Sequence, residues 1–163
     1  MIVVADTTPL NYLILMEEID VLPALFGRVL IPVAVREELL HKRASTKVRQ
    51  WIERPPTWLE VRSPLIQADA ELAKLDRGER EAIALAEELS ANHIAVQLIV
   101  DELSGRRVAE QRSLPVIGTI GILREAAEMG LLDLRDAFHR LQQTSFHISP
   151  ALLAGLLREL PQD

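Results

Sequence analysis

Apolar residues follow two rhythms along this chain: short unbroken runs, and longer segments in which they recur every third or fourth position. The first run, "IVVAD", predicts a buried strand. "TTPLNYLILMEE" predicts the helix after it, with Thr8 as N-cap and Pro9 in the first turn. "VLPALFG" reads as a second short helix closed by Gly27, "RVLIP" as another strand, and "VAVREELLHK" as the helix behind it. "STKVRQWIER" places Val48, Trp51 and Ile52 at helical spacing, and the proline-bounded "PPTWLEVRSP" holds a brief edge strand. "DRGEREAIALAEEL" is strongly helical, with Ala82, Ile83, Leu85, Ala86 and Leu89 on one apolar face and Glu79 in its first turn. The strand "AVQLIVDE", the helix "LSGRRVAEQRS", the strand "LPVIG" and the helix "TIGILREAAEMG" follow. Two last helical patterns, "LRDAFHRLQQ" and "SPALLAGLLREL", close the chain.

Strands separated by helices predict an α/β fold, because parallel neighbours need a crossover and the crossover is normally a helix. No composition break, repeat or low-complexity tract divides the sequence, so 1–163 reads as one domain with 133–163 as a C-terminal helical extension packed on it. In parallel sheets, ligands gather outside the carboxyl ends of the strands where strand order reverses. Asp6 and Asp101 each end a predicted strand, so both belong to that edge.

Composition narrows the chemistry. The chain is 48% hydrophobic but only 4% aromatic, so aliphatic side chains must fill its core. It has no cysteine, which excludes disulfides, thiolate zinc sites and cysteine nucleophiles and fits a reducing cytoplasm. No apolar run reaches the ~18 residues of a membrane span, and the start lacks the cationic leader of a signal peptide. A net charge of -6 opposes general attraction to nucleic acid, so a nucleic-acid substrate would need a local source of positive potential.

Four acids stand out by place: Asp6, Glu38 in the helix after the second strand, Glu79 and Asp101, with Glu102 as a fifth. Carboxylates gathered in one pocket repel one another, and they either take up protons or recruit a hard divalent cation such as Mg²⁺ or Mn²⁺. Such a cation would also supply the positive field that lets an acidic protein approach a phosphodiester. Each acid also has a structural reading: Asp6 as a helix-entry residue, Glu79 facing a helix N-terminus, Asp101 as a cap. Glu37 and Glu38 differ by about 100° around their helix, and the sequence leaves open which one faces a pocket.

The segments "VVADTTPLNYLILM", "VLIPVAVREELL", "LDRGEREAIALAEEL" and "LIVDELSGRRVAEQRSLPVIGTIGIL", in that order and spacing, resemble the PIN-domain superfamily, most closely its DUF3368 branch of small prokaryotic proteins akin to VapC toxins. The C-terminal "TSFHISPALLAGLL" is similar to that branch as well. The resemblance implies a three-layer α/β/α sandwich with a central parallel sheet and Mg²⁺- or Mn²⁺-dependent cleavage of RNA. It further implies Asp6, Glu79 and Asp101 as metal ligands, Glu38 as a fourth catalytic acid, and Thr8 as a supporting hydroxyl. The branch often has two aspartates where this chain has Asp101 and Glu102, so either acid there is a candidate. Relatives of this kind are commonly toxins held by a small antitoxin and are often homodimers, which makes both partners expectations here.

Of the basic residues, Arg106 and Arg107 lie about one helical turn past the Asp101 corner and are the better nucleic-acid contacts. Arg112 belongs to the same group. Arg36, Lys42, Arg43, Lys47, Arg49 and Arg54 form a second cluster that reads equally well as a solvated face. The four histidines lack metalloprotease spacing, and "GTIG" lacks a phosphate-loop lysine. Trp51 and Trp58 read as packing residues. Two rivals remain: a catalytically silent protein-binding module on the same fold, and a phosphotransfer enzyme or receiver. The second is disfavoured because "ADTTP" lacks a carboxylate two residues on and no lysine follows the late strands.

Overall fold

The structure is a computed structural model and describes residues 1–160. Residues 161–163, the end of the expected C-terminal extension, lie outside the described residues. The chain order is β1 (Ile2–Ala5), α1 (Thr7–Leu15), α2 (Val21–Phe26), β2 (Val29–Ile31), α3 (Val33–Leu40), α4 (Thr46–Glu53), β3 (Leu59–Val61), α5 (Arg77–Ala91), β4 (Val96–Ile99), α6 (Leu103–Gln111), β5 (Val116–Ile117), α7 (Thr119–Glu128), α8 (Leu134–Gln142) and α9 (Pro150–Arg158). Every element expected from the apolar rhythm is present. A short 3-10 turn, Leu72–Lys74, lies in the loop before α5 and was not foreseen.

The five strands pair in parallel in the order β3-β2-β1-β4-β5. Alternation along each strand splits the core into two layers, because successive side chains leave a strand on opposite faces. Val3, Ala5, Val29, Ile31, Ile99 and Ile117 enter the layer shared with α1, α2, α3, α4, α7 and α8. Val4, Leu30, Val96, Leu98 and Val100 enter the thinner layer under α5 and α6. These are the three layers of an α/β/α sandwich. From the C-terminal region, Ala137, Phe138, Leu141 and Leu156 are buried in the first layer, with Phe138 only 1% exposed.

The strand order moves outward from β1 to β3 and then returns to the other flank of β1, so it reverses between β1 and β4. The corners after those two strands therefore share one crevice. α5 connects β3 back to β4 in this parallel sheet, so its first turn arrives at the same carboxyl edge.

Two local expectations are corrected. The N-cap position of α1 is Asp6, not Thr8, which sits inside the first turn with Thr7 and Pro9. The helix also stops at Leu15 instead of running through "MEE": Glu17 turns left-handed at φ 61°, and the Glu18 N–H donates back to the Leu13 carbonyl at 2.8 Å.

Candidate metal centre

Four elements bring acids to the crevice. The Asp6 N–H donates to the Ile99 carbonyl at 3.0 Å, which ties the β1–α1 corner to β4 and leaves the side chain only 4% exposed. The Asp6 carboxylate makes no capping bond to α1. Glu38, on α3, reaches toward it. A Cβ placed on Gly78 would lie 3.0 Å from Asp6 Oδ1 and 2.7 Å from Glu38 Oε1, so the two carboxylates converge on a point that only glycine leaves open. Glu37, one residue earlier, instead pairs with Arg77 at the rim. The structure thus separates the two neighbours: Glu38 meets Asp6 and Glu37 does not.

Glu79 comes from the first turn of α5, whose N-cap Asp76 accepts the Glu79 N–H at 3.3 Å. Its side chain is 2% exposed and lies against Gly105 of α6, where an added Cβ would collide with Oε2. That oxygen is buried and has no hydrogen-bond partner. Asp76, Glu79 and Glu102 each offer a carboxylate oxygen, all within 4.8 Å of one another. Hard cations of the Mg²⁺ type are held by oxygen ligands at ~2.0–2.1 Å, so three converging acids, one of them buried, fit one.

The electrostatics follow from the crowding. Burial above all pushes the Asp6 carboxyl from 3.8 up to about 7, with the charges of Asp76, Glu38 and Glu102 contributing to the rise and the Thr7 amide opposing it. Burial likewise lifts Glu79 from 4.5 to about 9, reinforced by shared hydrogen bonding with Asp76 and Glu102 and by the charge of Asp6. Proton or cation uptake is how such a cluster relieves its repulsion.

Asp101 takes a different posture. Its Oδ1 accepts the Thr119 N–H at 2.7 Å and its Oδ2 the Thr119 hydroxyl at 2.6 Å, so it closes the N-terminus of α7. Each oxygen keeps a further lone pair. Burial raises its pKa, against Thr119 and the charge of Arg106. Arg106 Nη1 and Asp101 Oδ1 flank the same open point above Gly118, at 3.0 and 2.8 Å from where a Cβ would stand.

The structure therefore gathers Asp6, Glu38, Glu79 and Glu102, and sets Asp101 and Thr8 beside Glu102 along one cleft wall. It adds Asp76, which the sequence reading had passed over. The signal was there: "DRGE" has the spacing of a capping box, an acid-rich N-terminus folded back on itself. Among the basic residues, Arg106 lines the cleft, whereas Arg112 is taken up by Asp69, Glu71 and Glu87, and Lys47 by Glu17.

No curated protein matches the chain. A family profile described as a PIN domain, DUF3368, matches residues 2–162. PIN domains are generally nucleases and typically use divalent metal ions, which agrees with a carboxylate cluster at the switch point of a parallel sheet. A match over nearly the whole length, on this sheet and with these acids at its edge, establishes that the chain belongs to the DUF3368 family of PIN domains.

Proposed function

We propose that the protein is a cytoplasmic ribonuclease of the VapC type that hydrolyses RNA phosphodiester bonds with Mg²⁺ or Mn²⁺. The observation that carries this reading is a cluster of acids at the reversal of strand order, built around the buried Glu79, whose Oε2 has no hydrogen-bond partner. Asp6, Glu79 and Asp101 are the expected ligands, and Asp76 and Glu102 complete the oxygen set around Glu79. A divalent cation held there would stabilise charge on the phosphate under attack and activate a water. Asp6 and Glu79 form the buried floor, and their burial favours a retained proton, which a bound cation would displace. Glu38 stands against Asp6 at the exposed rim, and on this reading it orients an attacking water. Arg106 is the cation nearest Asp101 along the cleft and serves the substrate backbone, with the exposed Arg107 beside it in sequence.

Toxin behaviour, a small antitoxin and a homodimer belong to the same reading. The apolar side chains of Met129, Leu131 and Leu152, all exposed, give surface for such partners. No helix among the described residues is long and apolar enough to cross a membrane.

The test is cleavage of several single-stranded RNAs by the purified protein with Mn²⁺, compared with Asp6→Asn. Loss of cleavage in the variant is expected. If the wild type shows neither cleavage nor an Mn²⁺-dependent rise in melting temperature, the silent binding module takes its place.

A further inference from the structure

The helices α5 and α6 cover one face of the sheet, and both run from its carboxyl edge toward its amino edge. They are tied together at two levels. At the carboxyl edge, Gly105 of α6 lets the Glu79 carboxylate of α5 approach its backbone. At the far end, Arg112 closes α6 and its Nη1 pairs with Glu87 of α5. Glu79 to Glu87 on α5 and Gly105 to Arg112 on α6 are both spans of about two helical turns, ~11 Å, so the two ties are in step.

The same guanidinium also reaches the loop that leads into α5. Its Nη2 pairs with Asp69 at 2.9 Å and with Glu71 at 3.3 Å. Asp69 in turn organises that loop: its Oδ1 accepts the Glu71 and Leu72 N–H groups at 3.1 and 3.0 Å, and its carbonyl accepts the Ala73 N–H at 2.9 Å. The 3-10 turn begun in this way buries Leu72 between the sheet and the two helices. The Leu75 N–H closes the turn on the Leu72 carbonyl at 3.0 Å, and the next residue is Asp76. Arg112 therefore holds the loop that delivers Asp76, the helix that delivers Glu79, and the helix whose N-cap is Glu102.

None of its three partners belongs to the acid cluster. The Arg112 side chain is only 16% exposed, so water competes weakly for it, and a network of three carboxylates on one fork is stiffer than an exposed pair. Stiffness matters at the other end of the helices, because a cation of the Mg²⁺ type demands oxygen ligands at ~2.0–2.1 Å in near-octahedral array. Loosening the loop and the α5–α6 spacing would spread the three acids while leaving the sheet intact.

We propose that Arg112 is a positioning residue of the metal centre: its contacts to Asp69, Glu71 and Glu87 hold the loop, α5 and α6 at the spacing at which Asp76, Glu79 and Glu102 share one cation. The inference rests on the reading of those acids as a metal site and adds to it a remote residue that sets their affinity. Linkage makes the dependence reciprocal, so cation uptake tightens the loop.

The experiment is calorimetry with Mn²⁺ on the full chain, well below its melting temperature, comparing Arg112→Ala with Arg140→Ala. Arg140 is the matched control: it too is half-buried, it pairs with Glu18 and Asp136, and it ties α8 to the turn after α1 in the other layer. Both variants should melt earlier, but only Arg112→Ala should weaken Mn²⁺ binding, by about tenfold, the low end of the loss when a group supporting a metal ligand is removed. Arg112→Lys should recover part of that affinity, and Mn²⁺ should slow hydrogen exchange at the amides of residues 71–75 in the wild type. Where Arg112→Ala does not fold, Glu87→Gln carries the same test with a smaller loss of Mn²⁺ affinity. An affinity unchanged in the variant tested, or lowered equally in Arg140→Ala, overturns the positioning role and leaves the metal site standing. A wild type that takes up no Mn²⁺ overturns the metal site as well.

Discussion

Glu79 shows how a single side chain can be both a liability and a site. Held neutral by burial, it has an oxygen with nothing to bond, and the crowding that raises its pKa is what a cation would relieve. Glu79→Gln keeps the shape and removes the charge. It should lower Mn²⁺ affinity by about 10- to 100-fold, the usual loss when a metal-site partner is removed, while the metal-free melting temperature at neutral pH holds or rises. Gly105→Ala acts from outside the acid set: the new Cβ would displace the Glu79 carboxylate, so calorimetry should find weakened Mn²⁺ binding in a protein that still folds. The raised carboxyls also fix a pH trend. Asp6 and Glu79 bind protons more tightly folded than unfolded, so their contribution to stability is complete below their ordinary values of 3.8 and 4.5. It is lost as pH rises through about 7 and then about 9. Without metal the melting temperature should fall across that window, and Mn²⁺ should flatten the slope; a metal-free protein that gains stability there would contradict the burial of these two acids.

At the level of elements, caps and packing explain why the helices start where they do. Ser45, Asp133 and Ser149 accept the N–H three residues on, at 3.2, 2.8 and 3.2 Å, and Asp76 does the same for α5. Asp76 therefore has two roles, a helix cap and a member of the acid cluster. The C-terminal helices are part of the core. Phe138 is fully enclosed between α8 and the sheet layer, so Phe138→Ala should cost about 3–5 kcal/mol in urea unfolding. A smaller loss would mean that the extension packs only loosely. The strand, helix and turn order was readable in advance because unbroken apolar runs give way to an apolar period between three and four at the boundaries. The stop at Met16 was less readable, since the left-handed Glu17 carries no glycine or asparagine signal. Arg112 was misleading for a related reason: its sequence neighbours are Arg106 and Arg107, but its three acidic partners lie on the loop before α5 and on α5 itself.

Across the whole molecule, the excess of acid over base sets the terms for any polyanionic partner. On the proposed reading the cation must be bound before RNA can approach, so chelation with EDTA should abolish RNA binding as well as cleavage; anisotropy in both conditions checks this. RNA held equally well in EDTA would locate its binding surface away from the acids.

The residues alone determined the α/β class, the order of the strands and the longer helices, and the fact that Asp6 and Asp101 end strands, since all of these are local properties of period, turn chemistry and composition. Convergence is different. That Glu38 rather than Glu37 meets Asp6, that Asp76 and Glu102 close around Glu79, and that Asp101 turns to Thr119 depend on helix rotation and on glycines at 78, 105 and 118 that let side chains approach backbones. The same holds for Tyr12 and Ser145, which are far apart along the chain and touch at the cleft mouth. Such contacts are set by how the layers pack, and only the assembled sheet and its helices decide them.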